Sequence, residues 1–145
     1  MVNPLNAPEP SKLLGYAPMD AAHAEFDHLV VAALDCPDEQ LLPCLERLRS
    51  HLLAHFGQED DWMRDSGFPA GACHIEEHGK VLGSAAQVVD LVARGDLAIG
   101  RAFAAELERW FPGHADYLDS ALAAWLCKRR FGGKPVVLHA RKARA

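Results

Sequence analysis

His55-Phe-Gly-Gln-Glu59 and, one short loop later, His74-Ile-Glu-Glu-His78 are the stretches that decide how this chain folds. Residues four apart on an α-helix lie about 40° from each other around the axis and one turn along it, so both face the same way. His55 and Glu59 therefore form one pair of ligand-type side chains on a shared face, and His74 and His78 form another. Asp65-Ser-Gly-Phe-Pro69, rich in turn formers, lies between the two helices. A turn centred near residue 67 folds them back on each other and sets residues 74–78 opposite residues 60–56. The two pairs then meet at one level, which predicts a helical bundle built around a metal centre.

The rest of the chain suits that reading. Its 145 residues are enough for one domain with one large core. Half are hydrophobic and 24% are charged, an ordinary globular balance. A net charge of −5 argues against a nucleic-acid partner for the chain as a whole. Seven of the fifteen Lys and Arg residues fall at or after Lys128, with no acid among them. Four cysteines, Cys36, Cys44, Cys73 and Cys127, have no Cys-x-x-Cys spacing, so reduced and mostly buried thiols are expected, as in a cytoplasmic protein. No basic stretch followed by an apolar run marks a signal peptide. No apolar run approaches the roughly 20 residues of a membrane span.

Taken in order, residues 1–18 carry Pro4, Pro8, Pro10 and Pro18 and read as an extended arm. The first helix is expected over 19–34, with Asp20 in its first turn and Phe26, Leu29, Val30 and Ala33 as its apolar stripe. A second, over 39–64, tolerates Pro43 only near its start and carries Gly57 inside it, where a close neighbour would explain the glycine. A third spans 70–93, and Gly95 stops it. Asp96 caps a fourth, over 97–131, which Trp110-Phe-Pro-Gly113 should kink or split. The expected architecture is all-α: an up-down-up-down antiparallel four-helix bundle over 19–131, with an N-terminal arm and a basic C-terminal tail over 132–145.

Reflection about the other turns extends the site. A turn near residue 95 puts residues 74–78 opposite 116–112, a window that contains His114. A turn near residue 38 brings His23 within about one helical turn of the same level. Asp119 follows His114 by five residues, about 140° around an α-helix and roughly 7.5 Å along it, an offset that suits two side chains reaching different parts of one centre. Five histidines and two carboxylates converge. His51, four before His55, forms a competing pair but lies a turn too far from the loop at 65–69. His28, in Glu25-x-x-His28, is expected at the surface or behind the ligands.

The order His23, His55-x3-Glu59, His74-x3-His78, His114-x4-Asp119 resembles the hemerythrin family, in its single-domain bacterial form. The resemblance covers about residues 19–127 and extends to Met19-Asp20, Phe56, Trp62-Met63, Gly67-Phe-Pro69 and Trp110. It implies a non-haem di-iron centre with an oxo or hydroxo bridge. His74, His78 and His114 would hold one iron, His23 and His55 the other, and Glu59 and Asp119 would bridge them. The two-histidine iron would keep an open position for dioxygen, for storage, delivery or sensing. By position, Phe26, Phe56, Trp110 and Ala115 would wall the oxygen pocket. The chain departs from the family pattern where a large aliphatic residue usually follows the last histidine, since Ala115 stands there, and in the Pro112-Gly113 pair. A roomier pocket is the consequence drawn from that departure.

Other readings weigh less. His74-Ile-Glu-Glu77-His78 also matches the H-x-x-E-H zinc-peptidase pattern, but such enzymes need a further ligand and more chain for a substrate cleft. Ferritin-like di-iron enzymes need Glu-x-x-His on two helices, and only Glu25-x-x-His28 has that form. A di-iron redox enzyme acting on peroxide, nitric oxide or another small oxidant is the alternative that keeps the metal. The chain is expected to be a monomer or small homo-oligomer, with a weak electrostatic contact through its tail as the sharper reading of the basic end.

Overall fold

The structure, a computed structural model, describes residues 11–131. Helices α1 (Ala17–Asp35), α2 (Asp38–Ser66), α3 (Gly71–Ala93) and α4 (Leu97–His114) are followed without a break by a π-helical turn at Ala115–Asp119 and by α5 (Ser120–Phe131). Consecutive helices pack against each other and α1 closes against α4, as an antiparallel four-helix bundle requires. The basic tail over 132–145 and the first ten residues of the arm lie outside the described residues.

Turn chemistry sets the rod ends. Gly67 takes the left-handed conformation (φ 67°), and Phe68 N–H reaches back to the Met63 carbonyl. Gly95 (φ 106°) closes α3 with its own N–H on Val92 and that of Asp96 on Leu91, the paired bonds of a Schellman motif. Asp96 then caps α4 by accepting from Ile99 N–H. Arg101 holds the far end of α1, donating to the carbonyls of Ala33, Leu34 and Cys36 and to Asp38. Asp20 lies in the first turn of α1, where its carboxylate accepts from Leu14 and Gly15 N–H and folds residues 11–16 back toward the helix.

Three expectations need correction. The fourth rod does not break at Pro112, which sits inside α4 and only leaves the Glu108 carbonyl without its usual donor. The irregularity comes later, as the π turn, where Ser120 N–H bonds to the Ala115 carbonyl. Gly57 has no close neighbour: a Cβ there would meet nothing within 4 Å. The thiols are free, but only Cys44 and Cys127 are buried, while Cys73 is exposed and Cys36 is partly exposed.

The interior is divided. A larger apolar cluster runs from Phe26 and Phe56 through Leu41, Leu45, Leu48 and Leu52 to Val92 and Leu107. A smaller one joins Tyr16, Met19, Met63, Leu122, Ala123 and Leu126. Along every rod the residues between them are polar: His23 follows Met19, Glu59 precedes Met63, and Asp119 precedes Leu122. Unpaired polar groups would cost several kcal/mol each if buried there, so this layer has to be satisfied by something.

Candidate metal centre

Each of the seven side chains read from the sequence reaches this layer. His23, His55, Glu59, His74, His78, His114 and Asp119 are all at most 4% exposed. They form two groups of ligand atoms: Glu59, His74, His78, His114 and Asp119 in one, and His23, His55 and Glu59 in the other. His51 is left out of both and His28 lies at the surface.

The carboxylates split their oxygens between the groups. Glu59 Oε1 lies 3.4 Å from His78 Nε2 and 3.7 Å from His74 Nε2, whereas Oε2 lies 2.9 Å from His55 Nε2. Asp119 Oδ1 lies 3.0 Å from His74 Nε2 and 3.2 Å from His114 Nε2, and Oδ2 lies 3.0 Å from His23 Nε2. The π turn makes this possible. In an uninterrupted α-helix Asp119 would point about 140° away from His114; the extra residue in the turn brings it back over the same face.

Hydrogen bonds behind the histidines determine what their inner nitrogens can be. His78 Nδ1–H donates to Asp60 at 2.7 Å, and His114 Nδ1–H donates to Glu77 at 3.1 Å. Trp110 Nε1–H donates to the same Glu77 oxygen at 2.9 Å. A neutral imidazole with its proton on Nδ1 presents a bare lone pair at Nε2. The Nε2 atoms of His78 and His114 are nevertheless 3.2 Å apart, and His74 Nε2 is 3.2 Å from His114 Nε2. Lone pairs crowd together in this way where a cation is to sit between them.

Unpartnered atoms point to the same chemistry. Glu59 Oε1, both Asp119 oxygens and His23 Nε2 are buried and make no aligned hydrogen bond. The 3.0 Å approach of His23 to Asp119 is close but not directed as a hydrogen bond, so it reads better as two ligands facing one site. Burial opposes ionisation of Asp119, but the imidazoles of His114, His23 and His74 outweigh it and hold the carboxyl far below the usual range. Burial and the charge of Asp119 work against Glu59 as well, yet His55 and His78 still lower its pKa. Both acids are ionised and ready to ligate. Nitrogen and carboxylate donors in this proportion fit iron, and the two groups fit two ions.

The aromatic residues divide between the groups. Phe56 stacks on His78 with centroids 4.0 Å apart, and Trp110 covers His114 at 4.4 Å. Phe26 instead packs at 4.2 Å on Phe111, whose ring meets His23 edge-on at 4.9 Å. Ala115 is buried and lines a cavity together with Phe26 and Phe111. Sequence reading missed Phe111 as a neighbour of the site and Asp60 as a partner of His78, and took Glu77 only as part of a peptidase pattern. No spacing rule separates such acids from solvated ones on the same helices.

The Hemerythrin HHE cation binding domain family matches residues 14–126. A bacteriohemerythrin of Ralstonia nicotianae is 37% identical over 116 residues, covering 80% of this chain and 85% of that protein. No solved structure matches the chain. With the ligand order, the bundle and these matches in agreement, the chain belongs to the hemerythrin family.

Proposed function

We propose that this protein binds dioxygen reversibly at a non-haem di-iron centre, in storage, delivery or sensing. The observation that carries the reading is the asymmetry of the layer: two carboxylates each divided between a three-histidine and a two-histidine group. His74, His78 and His114 would hold one iron, His23 and His55 the other, with Glu59 and Asp119 across both. The iron pair, when bound, supplies two electrons and an exchangeable coordination position for a diatomic gas.

The chain's own residues keep that chemistry reversible. Fewer protein donors on the His23–His55 side leave the place for the gas there. Phe26 and Phe111 back His23 with apolar surface. His51, whose ring centroid is 5.1 Å from that of His55, is a further titratable ring beside the site. Burial and the proximity of His55 push its pKa down, against the opposing pull of Glu25, so it is neutral at neutral pH and a poor proton donor. A neutral His51 favours release of the gas over its reduction. Free thiols support a place in the reducing cytoplasm, and no helix among the described residues is long and apolar enough to cross a membrane.

Iron content per chain, with optical spectra of the reduced protein before and after air and again after oxygen removal, tests this. Two irons and a spectrum that returns on deoxygenation are expected. Irreversible oxidation accompanied by turnover of peroxide or nitric oxide would make the protein a redox enzyme instead.

A further inference from the structure

A cavity of about 320 Å³ opens on the side of the bundle between α1 and α4, next to the metal layer. Its floor is apolar: Phe26, Val30, Phe111, Pro112 and Ala115. The size is at the lower end of the range for small-molecule sites, where an apolar floor with a few placed polar groups is the usual build. Ala115 is part of the reason for the space, since any larger side chain there would enter it.

The rim has a definite charge character. Asp27 is engaged, accepting from both Ser11 N–H and Ser11 Oγ–H at 2.8 Å. Asp116 faces the Lys12 ammonium at 4.0 Å. Glu108 is left over: among the described residues its side chain makes no hydrogen bond or ion pair. Pro112, one turn on, also cannot donate to the Glu108 carbonyl. The rim thus offers uncommitted acceptors and a negative charge above an apolar floor. A group with donors only and a positive charge complements it, which describes an ammonium.

We propose that this cavity is a binding site for a small organic amine, its apolar body on Phe26, Val30 and Phe111 and its ammonium at Glu108. None of the seven ligand-type side chains of the layer lines the cavity, although Phe26, Phe111 and Ala115 belong both to its floor and to the wall beside His23. Isothermal titration of the iron-loaded full-length protein with 2-phenylethylamine tests it, with 3-phenylpropionate as the acid of matching shape. Saturable binding of the amine is expected, together with no measurable binding of the acid. Glu108→Gln should weaken the amine by at least about threefold, the scale of a partly exposed charge pair, while the visible spectrum of the iron centre stays that of the parent and reports an intact fold. Val30→Phe, which fills the floor, should abolish binding. The proposal is overturned if the amine does not bind saturably, if the acid binds as well as the amine, or if Glu108→Gln binds it with unchanged affinity.

Discussion

Glu77 touches two things at once, the Nδ1–H of His114 and the indole N–H of Trp110. Burial raises its pKa and these contacts lower it, with the contacts prevailing, so the carboxylate is charged when it orients the imidazole. Partners behind metal-ligating histidines are worth about 10–100-fold in metal affinity. Glu77→Gln should therefore lose iron faster than the parent in a chelator challenge, and Asp60→Asn should do so through His78. Equal retention by both variants would show that the histidines need no such support. Ala115 bears on the other side of the centre. Ala115→Ile restores a large aliphatic residue against Phe26 and Phe111 and should slow autoxidation severalfold, followed by the decay of the oxygenated spectrum; an unaltered decay would remove Ala115 from the wall. At this scale the sequence was informative about ligands, because a histidine or carboxylate at the right helical step has few other reasons to be buried. It was silent about their supports, since Asp60 and Glu77 look like any solvated acid until the aim of a neighbouring ring is known.

The π turn is the element on which the centre's closure rests. One extra residue between His114 and Asp119 keeps both on the inner face, while α5 continues with Leu122, Ala123 and Leu126 in the smaller cluster. Deleting Tyr117, which is 81% exposed and contributes no packing, would restore ordinary helical winding. Asp119 would then follow His114 by four residues, about 40° around an α-helix, and α5 would keep its apolar face turned inward. Unchanged metal per chain is the expected result; loss of metal would show that the π winding itself, and not register alone, places Asp119. Glycines offer a milder probe. Gly83 and Gly57 have open space where a side chain would stand, so Gly→Ala at either should stabilise by about 0.5–1 kcal/mol in denaturant unfolding. Gly100→Ala should destabilise by about 1–3 kcal/mol, because its Cβ would come within 2.7 Å of Val92 and 2.9 Å of Leu45. Helix extents were legible from apolar spacing and from Gly67, Gly95 and Asp96. The π turn was not, because Pro112 drew attention to itself while the real irregularity is set by where Asp119 and Leu122 must both point.

At the scale of the whole molecule, the bundle could be anticipated because each short connection reflects one helix onto the next, which also places the ligands at one depth. What could not be anticipated was that the same arrangement separates the core into two unequal parts joined by a polar layer. That layer carries seven buried ionisable groups. Ions bound there and absent from the unfolded chain add stability in proportion to their occupancy, about 4 kcal/mol when free metal exceeds Kd a thousandfold. Stripping the iron should lower the thermal midpoint in calorimetry by many degrees, and an apoprotein that melts with the holoprotein would mean that the layer satisfies itself.

The near-complete burial of those seven groups has a kinetic corollary. A metal ion cannot simply drop into a layer whose ligands are this deeply buried. It must wait for a rod to swing aside, and α5, pinned to the end of α2 by the Trp125–Ser66 bond, is the natural hinge. Uptake by the folded apoprotein should then level off at a ceiling as iron is raised, the ceiling being the rate at which the bundle breathes.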